Sequence, residues 1–527
     1  MRWCKYCFIF ATTVLALRPF TIEDLVGLDR PSAAIPSPDG HWAVFSKGRY
    51  SIEEDKFYRN ILLLSLASGK ILPLTPPTTY GDREPIWLDS TNVGFISDRS
   101  NSSQLWSISI AKRSGPVQIT QFPTSIANIK YNAVRSILTF TSSVYQGTSM
   151  EETSHLDSEK SKNLDSALVF DELFVRHWDH FIQGKKTQIF VVNLERKHDN
   201  FNISSPPVNI LKGTPLESPV EPFGGSSDYD LSPDGLNITF LAKNPGSDQA
   251  WETDTKIYNA PISGDSKPIA ITESNRGACS SPAYSPDGKS LAWLQMETPR
   301  YESDRRRIIL YDIVRSERQY LAEHWDRSPS SLSWSKDSKT IYVVAEDEGK
   351  AKSFAIDIHS NQLSPLSQDH YVWGVTPFRG YHGHLLMMMN SFTHPTEVFT
   401  FSTKSGGLMK HTNFYEDKIQ DVYMAKPEEF WFEGSYGDDV HGFLFKPINF
   451  DPNKKYPLAF LIHGGPQGAW TDGFNFLWNP QIYASAGYVV VAINPRGSTG
   501  YGQKFTDQIL LLMVPVCVLW VLVMVGT

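Results

Sequence analysis

Three short stretches hold the residues that could do chemistry. Residues 460–470 read FLIHGGPQGAW. An apolar run ends at Ile462, and His463, Gly464, Gly465 and Pro466 turn the chain. A glycine loop of this kind can aim backbone N–H groups at a developing oxyanion, because glycine lets the backbone approach a substrate closely. Residues 434–437 (GSYG) and 497–500 (GSTG) place Ser435 and Ser498 among glycines. Both lack the glycine two places before the serine that a G-x-S-x-G nucleophile elbow needs, and no G-x-S-x-G occurs anywhere in the sequence. The pieces for stabilising an acyl-transfer oxyanion are written here, and an elbow for the attacking serine is not.

The elements around these residues must position them. EFWFEGSYGDDVHGFLFKP, residues 429–447, reads as a hairpin turning at Gly437-Asp438-Asp439. YPLAFLIHGGP supplies a short strand buried on both faces. Residues 474–502 add a helix, a stop at Gly487 and a second apolar strand, which Arg496 follows. That is the β-α-β alternation of a mostly parallel sheet.

The first 420 residues follow another rule. Ser-Pro-Asp-Gly occurs at 37–40, 232–235 and 285–288, and each time an apolar residue follows six positions after the aspartate: Phe45, Phe240 and Trp293. Asp89 with Phe95 and Asp337 with Val343 repeat the spacing. The aspartates at 39 and 89, 234 and 287, and 287 and 337 lie 50, 53 and 50 residues apart. Degenerate copies fit around Val134 and His382. A fixed period of this length marks one β-unit repeated, each copy turning between two strands. The expected fold is mostly β: a seven-bladed β-propeller, with eight as the alternative count, followed by an incomplete α/β-hydrolase domain. Residues 148–166 break the period and read as a polar surface loop. After them Arg176-His177-Trp178-Asp179 reads as a strand of the repeat with a packed Trp and a surface ion pair, a substrate channel or domain contact being the alternative.

Composition bounds the rest. The chain has 527 residues, 41% hydrophobic and 13% aromatic, with a formal charge of -8. That is long enough for two or three domains, and no basic stripe points to nucleic acid. Of Cys4, Cys7, Cys279 and Cys517, only Cys279 lies in the body of the chain, so no disulfide framework or cysteine metal cluster is expected. Arg2 and Lys5 precede an apolar run to Leu17, and Val14-Leu15-Ala16 ends it as a secretory signal would. The sequons at Asn101, Asn202 and Asn237 agree with a secreted, extracellular glycoprotein.

HGGPQGAW, NPRGSTGYG and FWFEGSYGDDVHGFLFKP resemble the prolyl oligopeptidase family of serine peptidases, and within it the secreted fungal dipeptidyl-peptidase V group, which RHWD at 176–179 also resembles. The resemblance runs from about Leu17 to Ile509. It implies a propeller that filters peptide substrates, a hydrolase domain that releases N-terminal dipeptides through a Ser-His-Asp triad, and no cofactor or metal. By position it places Gly464 and Gly465 on the oxyanion loop, His463 beside that loop but not as the catalytic base, and Arg496 as a buttress of the site.

The chain departs from the family where the triad should follow. Leu510 to Val525 carries no charge. It reads as the end of a truncated gene product, and as a short membrane anchor in the alternative, with membrane contact only in that case. The expected domains are a signal peptide (1–16), the propeller (17–425), the first part of the hydrolase domain (426–509) and an apolar tail (510–527). The expected function is a secreted serine dipeptidyl-peptidase by descent, inactive in this chain. A non-catalytic propeller binding protein and a membrane-tethered pseudoenzyme are the alternatives. A sheet of few strands is expected to leave apolar surface exposed.

Overall fold

The computed structural model describes residues 17–112, 115–171, 173–198, 200–367, 370–378 and 383–509. The signal segment, the apolar tail and His382 lie outside them. Most of the described elements are strands. Seven sheets of four or five antiparallel strands follow one another along the chain, from Arg30–Pro31 in the first to Leu408–Lys410 in the seventh.

The repeated turn explains how each sheet begins. In Ser232 to Gly235 the Ser232 hydroxyl donates to Asp234 Oδ1 at 2.6 Å and accepts the Asn237 N–H at 2.9 Å. Ser285 and Ser335 make the same pair of bonds to Asp287 and Ser290, and to Asp337 and Thr340. Gly40, Gly235 and Gly288 take φ of 73°, 66° and 72°, the left-handed region glycine enters without strain. In the fourth copy Ser338 takes that place at φ 59°. Each turn joins two paired strands, as Tyr229–Leu231 pairs with Asn237–Ala242. The apolar residues six places after the aspartates point inward: Phe45, Phe95, Phe240 and Trp293 are 0% exposed and Val343 1%.

Those side chains bury against the next sheet. Val44 and Ile61 of the first sheet share a core with Val93 and Phe95 of the second. The pattern continues through to the seventh, where Leu386, Met388 and Val398 share a core with Ala43, Phe45 and Leu62 of the first.

Two local expectations change. Residues 148–166 are not all loop: Met150–Ser161 is a helix, begun by a reciprocal capping box between Ser149 and Glu152. It is polar on nearly every side and is held by Met150, Thr153 and an ion pair from Asp157 to Lys185. Nor is Trp178 packed. It lies at the tip of a separate two-stranded hairpin, Arg176–His177 with His180–Phe181, is 71% exposed and touches Phe223.

The C-terminal sheet follows a different plan. Glu428–Glu433 and Asp439–Phe445 form the expected hairpin, with Gly434 N–H bonded to Asp438 O. Val489–Asn494 joins Asp439–Phe445 antiparallel, and Leu458–Leu461 pairs parallel with Val489–Asn494 at the sheet's edge. Only that last pairing is parallel within this sheet, so the sheet is more mixed than expected. The helix Pro480–Ser485 connects the parallel pair, capped by Asn479 and stopped where Gly487 turns at φ 93°.

The N-terminal segment reaches the junction between the repeats and this unit. Arg18–Pro19 pairs parallel with Val422–Tyr423, and Phe20, Leu25 and Leu28 share a core with Tyr415, Val422 and Phe474. The apolar surface expected to remain open is found at the edge strand: Leu458 is 59% exposed, and Ile462 just beyond it 71%.

Ser232 is buried and makes three turn bonds through one oxygen. Ser232→Ala should therefore lower stability by about 1–2 kcal/mol, read as a shift of the urea midpoint by tryptophan fluorescence at unchanged slope.

Candidate active site

The edge strand Leu458–Leu461 delivers His463, Gly464 and Gly465 to the carboxyl end of the sheet, where open α/β sheets bind ligands. The loop folds back on itself. Gly465 has φ 142°, and a Cβ there would sit 2.4 Å from Gln467 N. A Cβ on Gly468 would sit 2.8 Å from Gly464 O. Glycine is required at 465 and 468 by the backbone itself. At Gly464 a Cβ would meet nothing within 4 Å, so the space beside it is open. Gly464 and Gly465 are exposed, and among the described residues their N–H groups have no partner. Two unpaired donors beside open space can donate to a ligand oxygen.

The far end of the loop is pinned by one amide. Asn494, last residue of Val489–Asn494 and fully buried, accepts the Trp470 N–H at 2.7 Å and donates to Trp470 O at 2.9 Å. It also donates to the Tyr501 hydroxyl at 2.7 Å. Tyr501 in turn meets Nδ1 of the buried His441 at 2.7 Å. A hydroxyl that accepts from Asn494 and donates to His441 leaves His441 its Nε2–H, which faces Glu429 Oε2 at 3.5 Å. Burial holds the His441 pKa below its ordinary value, so the imidazole is neutral. Trp431 stacks over it with ring centroids 4.5 Å apart.

His463 and Ser498 meet. His463 Nε2 lies 2.9 Å from Ser498 Oγ, and Nδ1 lies 2.9 Å from Gly464 O. A serine–histidine pair invites comparison with a catalytic one, and three facts set it apart. The Ser498 hydroxyl also lies 2.6 Å from Pro495 O, a carbonyl that can only accept its proton. Ser498 is 0% exposed. Among the described residues no carboxylate stands behind His463, whose other nitrogen faces a backbone carbonyl. The pair ties the loop to the turn after Asn494. Arg496, in that turn, donates to Ser435 O at 2.7 Å, pairs with Asp438 and lies over the Tyr436 ring at 4.2 Å. Sequence reasoning singled out His463, Arg496, Ser435 and Ser498 and missed the bonds among Asn494, Tyr501 and Trp470. Asn494, Tyr501 and Trp470 stood in the same quoted stretches, and their signal was a polar residue closing an otherwise apolar strand.

The seven-sheet region closes over this unit. Thr499 donates to Glu346, the Glu348 N–H to Gly500 O at 3.0 Å, and the Asp472 N–H to Gly349 O at 2.7 Å. A cavity of about 380 Å³ lies between the two regions, bordered by Gln467, Gly468 and Thr499 on one side and by Arg306, Glu346 and Tyr371 on the other. Cys279 is buried far along the chain from these residues, and burial pushes its thiol up to about 11. Asn101 and Asn202 are exposed, and Asn237 is half-buried in a strand.

The short parallel pair thus ends in a glycine loop with two unpaired N–H donors, and the residues that follow them, Gln467 and Gly468, border the cavity. A model of the prolyl oligopeptidase family matches residues 474–517, which extends past Ile509. Dipeptidyl-peptidase 5 of Schizosaccharomyces pombe is 34% identical over 506 residues, 93% of this chain and 70% of the relative. Probable dipeptidyl-peptidase 5 of Emericella nidulans is 34% identical over 97% of the chain and 72% of its own length. The chain belongs to the prolyl oligopeptidase family of serine peptidases. Among solved structures, Pyrococcus horikoshii acylaminoacyl peptidase superposes with a TM-score of 0.71 at 16% identity, over 93% of this chain and 69% of that one. A puromycin-hydrolyzing peptidase of Mycobacterium tuberculosis gives 0.64 at 15%, over 94% and 71%. At those identities the likeness is one of fold.

Asp472 accepts the Phe392 N–H at 2.8 Å, and burial pushes its carboxyl up to about 6 from 3.8. A raised acid binds its proton more tightly when folded. Its stabilisation is complete below about pH 4 and is lost as pH rises through about 6. Asp472→Asn keeps the acceptor and cannot ionise. It should match the wild type at pH 4 and exceed it by roughly 1–3 kcal/mol at pH 7.5, in thermal melts across that range.

Proposed function

We propose that this chain descends from a secreted serine dipeptidyl-peptidase, an enzyme that releases N-terminal dipeptides from peptides through an acyl-enzyme. The observation that carries the reading is the 34% identity to dipeptidyl-peptidase 5 proteins along nearly the whole chain. The site supports it: Gly464 and Gly465 carry free N–H groups just before Gln467 and Gly468, which border the inter-region cavity, and such donors are what the oxygen of a tetrahedral intermediate needs. Arg496 buttresses the turn that carries Ser498, the partner of His463, by tying it to the 435–438 turn. In this reading the seven sheets are the blades of a closed seven-bladed propeller, with the shared core of the seventh and first sheets as its seam, and peptides reach the cavity past the blades. No cofactor takes part.

The 527 residues hold no G-x-S-x-G, and Ser498 is sealed, bonded to Pro495 O and without an acid behind its histidine. Acyl-enzyme formation requires a serine whose proton a base can take and whose oxygen a substrate can reach. The chain by itself therefore lacks a nucleophile. The purified 527-residue chain should leave dipeptidyl-amide substrates uncleaved in a fluorogenic assay. Turnover that a serine-directed inhibitor blocks would refute this.

Secretion and glycosylation belong to the same proposal. Expressed with residues 1–16 in a fungal host, the protein should appear in the medium and shift to lower mass with a glycosidase that removes N-glycans. Asn101→Gln and Asn202→Gln should each remove one glycan's worth of the shift; a cell-retained, unshifted product would overturn it.

A further inference from the structure

Residues 305–307 are three consecutive arginines, and the structure separates them. Arg305 donates to Glu323 O at 3.0 Å and Trp325 O at 3.1 Å. Arg307 pairs with Glu297 at 3.3 Å. Arg305 and Arg306 both line the cavity between the two regions, but the Arg305 guanidinium is spent on the Glu323 and Trp325 carbonyls. Arg327, which also lines it, is bonded to Asp347 at 2.7 Å. Among the described residues the Arg306 guanidinium has neither a hydrogen bond nor an ion pair. It is half-buried, and burial lowers its pKa, with Glu346 partly offsetting this.

The carboxylates around the cavity are largely committed. Glu346 accepts from Thr499, Asp304 accepts the N–H groups of Glu297 and Thr298 at 2.8 Å, and Asp326 accepts the Gln503 N–H at 3.0 Å. A free guanidinium fork in a half-buried cavity calls for a planar anion that it can hold with two parallel bonds. The surrounding carboxylates penalise a second negative charge, so a singly charged carboxylate fits better than a phosphate dianion. Gln467 and Gly468 border the same cavity directly after the Gly464–Gly465 donors. A peptide held at that loop can thus run toward Arg306.

We infer that Arg306 is a specificity residue of this cavity and binds a carboxylate of a peptide, its C-terminus or an acidic side chain. The inference rests on the peptide-binding reading above and adds which peptides are preferred.

Calorimetry on the full 527-residue chain at low salt tests it with three probes: tetra-alanine as the free acid, tetra-alanine amide, and Ala-Ala-Asp-Ala amide. At least one carboxylate probe should bind roughly tenfold tighter than the neutral amide, and which of the two does so identifies the source of the carboxylate. The advantage should vanish in Arg306→Met and return in part in Arg306→Lys, with both variants melting close to the wild type. If Arg306→Met does not fold, Arg306→Lys carries the comparison, and an undiminished advantage there counts against the assignment. Equal affinities for acid and amide probes, or an advantage that survives in Arg306→Met, overturn the role of Arg306 and leave the peptide reading standing. No binding of any probe overturns both.

Discussion

Apolar burial between neighbouring sheets is the constraint on which the rest depends. A four-stranded sheet of about 25 residues has two faces and little to cover them, and it is not a stable body alone. Here each sheet is completed by the next. Phe95 of the second sheet lies against Val44 and Ile61 of the first, and Phe240 and Tyr258 of the fourth against Ile189 and Val191 of the third. Burying one such aromatic side chain contributes about 2–3 kcal/mol, so a core of several outweighs any single hydrogen bond nearby. The turn serines have another task. They satisfy backbone N–H groups that the close approach of the sheets removes from water, which is why Ser232 and Ser285 are almost inaccessible while their aspartates face solvent.

The site depends on this region at second hand. Gly464 and Gly465 are held from behind by Ser498 and Asn494, and the turn carrying Ser498 is held from above by Glu346 and Glu348. Asn390 and Phe392 of the seventh sheet grip the chain at Phe474 and Asp472. The sixth and seventh sheets thus set where the loop stands relative to the cavity. The N-terminal segment reinforces the same junction, since Phe20 and Leu25 pack against Phe474 across almost the full length of the chain.

How much of this the sequence discloses follows from the range of each interaction. The Ser-Pro-Asp-Gly turns are closed by bonds between residues at most five apart, so their type and spacing are readable, and the residue six places on is predictably buried. The hairpin at 434–439 and the helix stop at Gly487 are local in the same sense. The helix Met150–Ser161 was readable from its Ser149/Glu152 capping box, but its lack of an apolar face concealed it. The hairpin that exposes Trp178 was hidden because an aromatic residue predicts burial and nothing adjacent says otherwise. The site divides the same way. Gly464 and Gly465 announce a loop, whereas the contact of His463 with Ser498 spans 35 residues and that of His441 with Tyr501 spans 60.

The serine–histidine contact shows why a pairing alone is weak grounds for catalysis. A working nucleophile needs its proton directed at the base. The Ser498 hydroxyl carries one proton and has two neighbours, Pro495 O and His463 Nε2. The carbonyl cannot donate, so if Ser498 satisfies it, His463 must supply the proton of the second bond, and the imidazole is donor rather than base. Nδ1 faces Gly464 O, which also only accepts. With its Nε2 proton given to Ser498, the ring offers that hydroxyl no lone pair with which to take its proton. The network is complete as a clasp between two loops. Turning it into a base would leave Pro495 O without a donor, while the adjoining Gly464 and Gly465 N–H groups stay unpaired among the described residues.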